Sequence, residues 1–178
     1  MRILEVAIGS GEMFHRLLQV NRDGETVGVD LSPNMAARTQ SRVRAAFPSS
    51  NAHCHAADAR NLPFPDASFD AIVCCYLFEL LSEDDMTNAL AEFRRVLRQE
   101  GRLTTILICQ SLTAFNAMYK VCTKLAPAFW GRQIEKRLPR MLSLQGFSIR
   151  GDHNVRQIFY PSRIIVAAAS NGHSSHKY

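Results

Sequence analysis

Ile3-Leu4-Glu5-Val6-Ala7-Ile8-Gly9-Ser10-Gly11-Glu12-Met13-Phe14 is the stretch that decides the fold of this chain. An apolar run of strand character breaks into small residues and then opens a helical pattern with Phe14, Leu17 and Leu18 on one side. A strand, loop and helix unit of this kind lets the backbone approach a ligand and points the free N–H groups of a helix start at it. Two features argue against a dinucleotide. The third glycine of the pyrophosphate fingerprint, three residues after the second, is replaced by Phe14. Glu5, at the end of the strand, repels a pyrophosphate and suits a ligand that carries an ammonium or sulfonium charge. A phosphate-binding P-loop fails too, because no Gly-Lys-Ser/Thr follows.

The pattern repeats downstream. A polar turn around Asp23-Gly24 leads to the short apolar strand Thr26 to Leu31, with Asp30 at its end. Asp30 follows Gly11 by 19 residues, near the spacing at which an acid after the second strand accepts hydrogen bonds from ribose hydroxyls. Read without the glycine loop, it is a turn or cap acid. Ser32 followed by Pro33 marks the start of a helix running to about Phe47. A third strand, Ala52 to Ala57, opens into a loop stiffened by Pro63 and Pro65 that ends at Asp70. The continuous apolar run Ala71 to Tyr76 reads as a central parallel strand covered on both faces. Ser82 with Glu83, Asp84 and Asp85 starts a helix that carries the core stripe Met86, Leu90, Phe93 and Leu97 and stops at Gly101 as its C-terminal cap.

These residues carry a family resemblance. Glu5 to Gly11 is similar to the first motif of the class I S-adenosylmethionine-dependent methyltransferases, with Ala7 where glycine is more usual. The loop from Asp58-Ala59-Arg60 to Asp70 resembles that family's segment across the adenine, and Phe93 to Arg102 its helix stop before the fifth strand, with Glu100 where proline is often seen. The nearest flavour is the ubiquinone/menaquinone-biosynthesis-like, small-molecule type, and the likeness covers residues 2–109. It implies an α/β fold: a Rossmann-like, doubly wound, seven-stranded, mostly parallel sheet with an antiparallel edge strand and helices on both faces. It also implies S-adenosylmethionine as cofactor, held by Glu5, Ala7, Gly9, Ser10 and Gly11 of the first loop and by Asp30, Leu31 and Met35 of the second. Asp58 and Ala59 then meet the adenine, and Cys75 and Tyr76 face the transferable methyl.

Beyond residue 109 only the architecture speaks. An apolar stripe at helical spacing over 111–125 and a second helical stretch over 133–145 suggest an insertion that lids an acceptor pocket. Phe147 to Asn154 and Gln157 to Ala169 read as a closing antiparallel pair, so residues 1–169 form one domain and 170–178 a frayed tail. Met1 stands close ahead of the first strand, whereas the family usually has N-terminal helices over the cofactor. Truncation, a partner subunit in a homodimer, or the 111–145 segment would account for that. Asn/Asp-Pro-Pro-aromatic and Pro-Cys motifs are both missing after the fourth strand, so Cys75 reads as a wall rather than a nucleophile. If the acceptor needs a base, Tyr76, Glu79 and Tyr119 are the candidates, then His153.

Bulk properties narrow the class. The chain has 178 residues, 47% hydrophobic and 21% charged, with no apolar run of the roughly 20 residues that span a membrane. Its start does not read as a signal peptide, so a cytoplasmic protein is expected. Five cysteines without a CxxC pair read as reduced core residues. His53 and His55 lack further ligands nearby, so no metal is expected. The net charge of +5 is spread over separate arginine groups, which reads as solvated helix faces rather than a nucleic-acid patch. The expected partner is a small, lipophilic acceptor; the alternatives are a nucleic-acid methyltransferase, which the basic balance suggests, and a non-catalytic S-adenosylmethionine-binding module.

Overall fold

The computed structural model describes residues 1–108, 134, 136–155 and 161–170. Its centre is a seven-stranded sheet of β1 (Arg2–Val6), β2 (Glu25–Asp30), β3 (Asn51–Ala56), β4 (Phe69–Cys75), β5 (Leu97–Ile108), β6 (Phe147–Val155) and β7 (Ser162–Ala169). The order is β3-β2-β1-β4-β5-β7-β6. The first five strands run parallel, and β7 enters antiparallel between β5 and β6. The chain order reverses between β1 and β4, which is where ligands of open α/β sheets lie.

Among the described residues four helices cover the sheet: α1 (Glu12–Val20), α2 (Pro33–Ala46), α3 (Glu83–Val96) and α4 (Leu138–Leu144). Phe14 and Leu18 of α1 and Val43 of α2 pack with Ile8 and Ala52 into one apolar cluster. Met86, Leu90 and Phe93 of α3 and Leu138 and Leu142 of α4 belong to a larger second one. Helices thus lie on both faces, which explains why β1 is almost wholly buried and has no polar alternation. Gly28 of β2 faces α1: a Cβ there would lie 2.8 Å from both Ile8 Cγ2 and the Phe14 ring. Helix starts follow their sequence signals. The Ser32 hydroxyl caps α2 by accepting from the Met35 N–H at 3.4 Å, and that of Ser82 caps α3 by accepting from Asp85 at 3.1 Å.

One boundary departs from expectation. Helix α3 stops at Val96, and Gly101 does not cap it. Its last carbonyls are capped from outside instead: those of Arg95 and Val96 accept from the Ala67 and Ser68 N–H groups at 2.9 and 2.8 Å. Leu97 therefore pairs with Phe69 in the sheet at once, and the left-handed turn before the regular ladder falls on Glu100 (φ 60°). Arg95 fastens the same loop, donating to the Leu62 and Phe64 carbonyls at 2.9 and 2.7 Å and pairing with Glu92 and Asp66.

Cys54, Cys74 and Cys75 are free thiols, as expected. The 111–145 insertion lies largely outside the described residues, as do Tyr119, Cys109, Cys122 and nearly all of the 170–178 tail. Among the described residues no helix is long and apolar enough to cross a membrane.

Gly28→Ala is expected to lower stability by about 1–3 kcal/mol, because the Phe14 ring has no room to retreat from the added methyl. Urea unfolding midpoints of the two proteins measure it; equal midpoints would show that α1 can shift away from the sheet.

Candidate functional site

Beyond the carboxyl ends of β1, β2 and β4 lies a cleft of two lobes, which share Ala7, Gly9, Cys75 and Tyr76 as common walls. The first, of about 360 Å³, is lined by Glu5, the glycine loop, Met13, Arg16 and Ile106. The second, of about 420 Å³, is bounded by Asp30, Leu31, Asp58, Ala59 and Arg60 on one side and by Leu77, Leu80 and Leu81 on the other. Of the twelve expected cofactor residues, ten line one lobe or the other. Gly11 and Met35 do not: Gly11 is the residue before α1, in contact range of Thr39, and Met35 is a half-exposed residue of the first turn of α2.

Local conformation explains how the loop is held. Ala7 and Tyr76, at the ends of β1 and β4, both have left-handed backbones (φ 63° and 56°), which cost a side-chain-bearing residue about 1–2 kcal/mol. The two turns face each other across the cleft's shared wall. Asp30 pins the arrangement. One of its carboxylate oxygens accepts from the Gly9 N–H at 2.8 Å, and the other from the Ser32 N–H at 2.9 Å.

Glu5 is 1% exposed, and its Oε2 has no hydrogen-bond partner. Burial pushes its carboxyl from the ordinary 4.5 up to about 8. With no cation beside it the acid is therefore largely protonated at neutral pH, and it lines a cavity that would fit a cationic group. Asp58 is different. Hydrogen bonds from the Arg60 guanidinium and N–H hold its carboxyl below the usual carboxylate range, and Arg60 continues to Asp85 at 2.7 Å. The acid expected at the adenine thus has an arginine partner that the sequence reading missed. Leu80 and Leu31 stand at the same lobe with 68% and 71% exposure, large apolar side chains at an open mouth.

The base candidates separate. Tyr76 lines both lobes, with its hydroxyl 2.9 Å from Ser162 Oγ. Glu79 does not line the cleft. Its short 3₁₀ turn (Phe78–Leu80) buries it, and its Oε1 accepts from the Ile108 N–H at 2.8 Å at the end of β5. Burial raises its carboxyl pKa. His153 lies on β6, the outermost strand, away from the cleft. Desolvation pushes the Cys75 thiol up to about 12, which leaves it a wall and no thiolate. Among the described residues no group of three or more His, Cys, Asp or Glu is placed to hold a metal ion. Apart from Arg60, the lining residues that are not among the expected cofactor residues include Leu77, Leu80 and Leu81, Glu12, Met13 and Arg16, and Ile106; Leu77 directly follows Tyr76 at the strand end expected to face the methyl. Only an i, i+4 acid and base spacing in α1 hinted at the Glu12–Arg16 pair.

A sheet reversing between β1 and β4, with a glycine loop and acids at successive strand ends, defines a class I, Rossmann-like methyltransferase. A methyltransferase-domain family model matches residues 3–101, more than half of the chain, and the chain belongs to that family. Its relatives are of the ubiquinone/menaquinone type. A demethylmenaquinone methyltransferase of Thermus thermophilus is 30% identical over 169 residues, covering 84% of this chain and 75% of its own length. One of Deinococcus radiodurans is 37% identical over 105 residues, 59% of this chain, and there the chain spans only 42% of the relative. The fold matches the crystal structure of a SAM-dependent methyltransferase from Methanosarcina mazei at a TM-score of 0.80, with 18% identity over 95% of this chain and 92% of that one.

The raised Glu5 carboxyl has a direct consequence for stability. Below pH 4.5 the acid is protonated in both folded and unfolded chains. As pH rises from 4.5 towards 8 the unfolded chain ionises first, so native stability falls across that window and levels off above it. Glu5→Gln is therefore expected to gain about 2–5 kcal/mol over the wild type on going from pH 4.5 to pH 8.5. Ligand-free denaturation at the two pH values tests this; a difference that does not change with pH would place the carboxyl in water.

Proposed function

We propose that this chain moves a methyl group from S-adenosylmethionine to a small, lipophilic acceptor of quinone type. One observation carries the reading: a buried acid with an unpartnered oxygen at one end of a continuous cleft and two further acids at the other. That distribution matches a ligand with an ammonium and a sulfonium at one end and a ribosyl adenine at the other. Glu5 would meet the ammonium and lose its proton in doing so. Asp30 would accept from the ribose hydroxyls while keeping Gly9 in place, since each carboxylate oxygen can take two donors. Asp58 and Ala59 would lie against the adenine edge, with Leu31 and Leu80 over its faces. Cys75 and Tyr76 would wall the methyl.

When bound, the cofactor supplies an activated methyl, so the protein's part is alignment. Holding acceptor and methyl carbon in line lowers the barrier by about 7–11 kcal/mol. A carbon or nitrogen acceptor needs no strong base, and the Cys75 thiol in the cleft wall is held protonated. The names of the quinone methyltransferase relatives and the exposed leucines at the mouth support a lipophilic acceptor. In this reading residues 111–145, or a second copy of the chain in a homodimer, cover the acceptor. The protein works in the cytoplasm without nucleic acid.

Titration calorimetry with S-adenosylhomocysteine tests the cofactor. Asp30→Ala is expected to weaken binding at least about tenfold, roughly 1.4 kcal/mol. Binding at pH 7 should also release a proton, seen as an enthalpy that varies with the buffer. Unchanged affinity in the variant removes the ribose assignment. Labelled methyl transfer to a panel of demethylated quinols and to RNA tests the acceptor, and label entering only RNA would overturn the quinone class.

A further inference from the structure

The amino-acid end of the cofactor carries a carboxylate as well as an ammonium, and Glu5 answers only the second. The glycine loop offers few free donors for an anion. The Ile8 N–H donates to the Val29 carbonyl at 3.1 Å, that of Gly9 to Asp30 at 2.8 Å, and that of Gly11 to the Ile8 carbonyl at 2.8 Å. The first amides of α1 have no side-chain cap and can also reach an anion, but a full positive charge for the carboxylate must come from a side chain. Among the described residues one cation lines the lobe that holds Glu5, and it is Arg16.

We infer that Arg16, in the second turn of α1, is the cofactor-carboxylate ligand of this chain. The inference rests on the S-adenosylmethionine reading and adds a binding residue to it. Arg16 pairs with Glu12 at 3.2 Å, an exposed i, i+4 pair in which the two side chains are 67% and 70% accessible. Such a pair contributes little, so the guanidinium can turn into the lobe at small cost. Its planar fork then matches a carboxylate with two parallel hydrogen bonds, which a lysine would not provide. Arg42, which approaches the loop from α2, is already committed to the Ser10 carbonyl at 2.6 Å. Glu12 is the internal competitor: it holds Arg16 when the lobe is empty and repels the incoming carboxylate when it fills. The two residues thus act on affinity with opposite signs.

The test compares S-adenosylmethionine with its decarboxylated analogue, which keeps the adenosyl, sulfonium and ammonium groups and lacks only the carboxylate. Calorimetry is run on the wild type, Arg16→Gln, Arg16→Lys and Glu12→Gln. Arg16→Gln is expected to weaken S-adenosylmethionine about tenfold or more and to leave the analogue within about twofold. Arg16→Lys should recover part of the loss, and Glu12→Gln should tighten S-adenosylmethionine alone. Equal affinity of Arg16→Gln and wild type for S-adenosylmethionine overturns the inference. So does equal weakening for both probes, because that effect does not pass through the carboxylate. A wild type that binds neither probe overturns the cofactor reading itself, and the inference with it.

Discussion

The Asp30 carboxylate joins two strand ends that would otherwise be independent. Its oxygens hold the Gly9 and Ser32 N–H groups, so the turn after β1 and the entry to α2 move as one body. Charge-assisted bonds of this kind are roughly twice as strong as neutral ones. That strength matters because the loop it holds is not relaxed: Ala7 sits in a left-handed conformation where glycine would be at ease. Without Asp30 the strain has a local way out, by collapse of the turn into the cleft. A single acid therefore keeps the shared wall of both lobes open, and a ligand arriving there meets a preformed surface.

Preformation has a thermodynamic counterpart at Glu5. A carboxylate left in a nearly dry site takes up a proton rather than remain charged, and burial alone accounts for its raised pKa. The fold thus carries a site that is less stable at neutral pH than it would be with an apolar or amide side chain in that place. A cation entering the lobe reverses the account, because it restores the charge and supplies the missing partner for Oε2. Part of the binding energy is in this sense stored in the empty fold, and it is specific to a ligand that is positive at that end. A neutral or anionic ligand of the same shape gains nothing from it.

What was legible in the sequence was what the backbone imposes locally. The glycine loop, the acids at the ends of β1, β2 and β3 and the caps at Ser32 and Ser82 all depend on spacings of a few residues, and the structure has them where the pattern put them. What escaped depends on residues distant in the chain. Helix α3 ends at Val96 because amides some 30 residues earlier satisfy its carbonyls, and no local motif announces that. Glu79 looked like a cleft residue because it follows the fourth strand closely. The 3₁₀ turn carries it inward to hold the Ile108 amide instead. Arg60 lies in a loop, yet it bridges Asp58, two residues before it, to Asp85, 25 residues after it.

The arginines make the same point about charge. A net charge of +5 invites a nucleic-acid reading, but formal charge on a sequence does not say where the field emerges. Around the end of α3, Arg95 is fixed to two carbonyls and two acids, Arg98 to Asp70, and Arg94 to the Ser170 carbonyl. Arg2 pairs with Glu25, and Arg163 with Asp152. These cations fasten loops to the sheet, and their charge is largely compensated where it stands. On α2 the balance is different: Arg38, Arg42 and Arg44 share a helix with no acidic residue. Of these, Arg42 reaches the glycine loop at the Ser10 carbonyl, beside the lobe proposed for the cofactor's amino-acid end. In the proposed reading, Arg16 at the mouth of that lobe and the buried Glu5 inside it would sort the two charges of an amino acid by depth: the carboxylate outward, the ammonium inward.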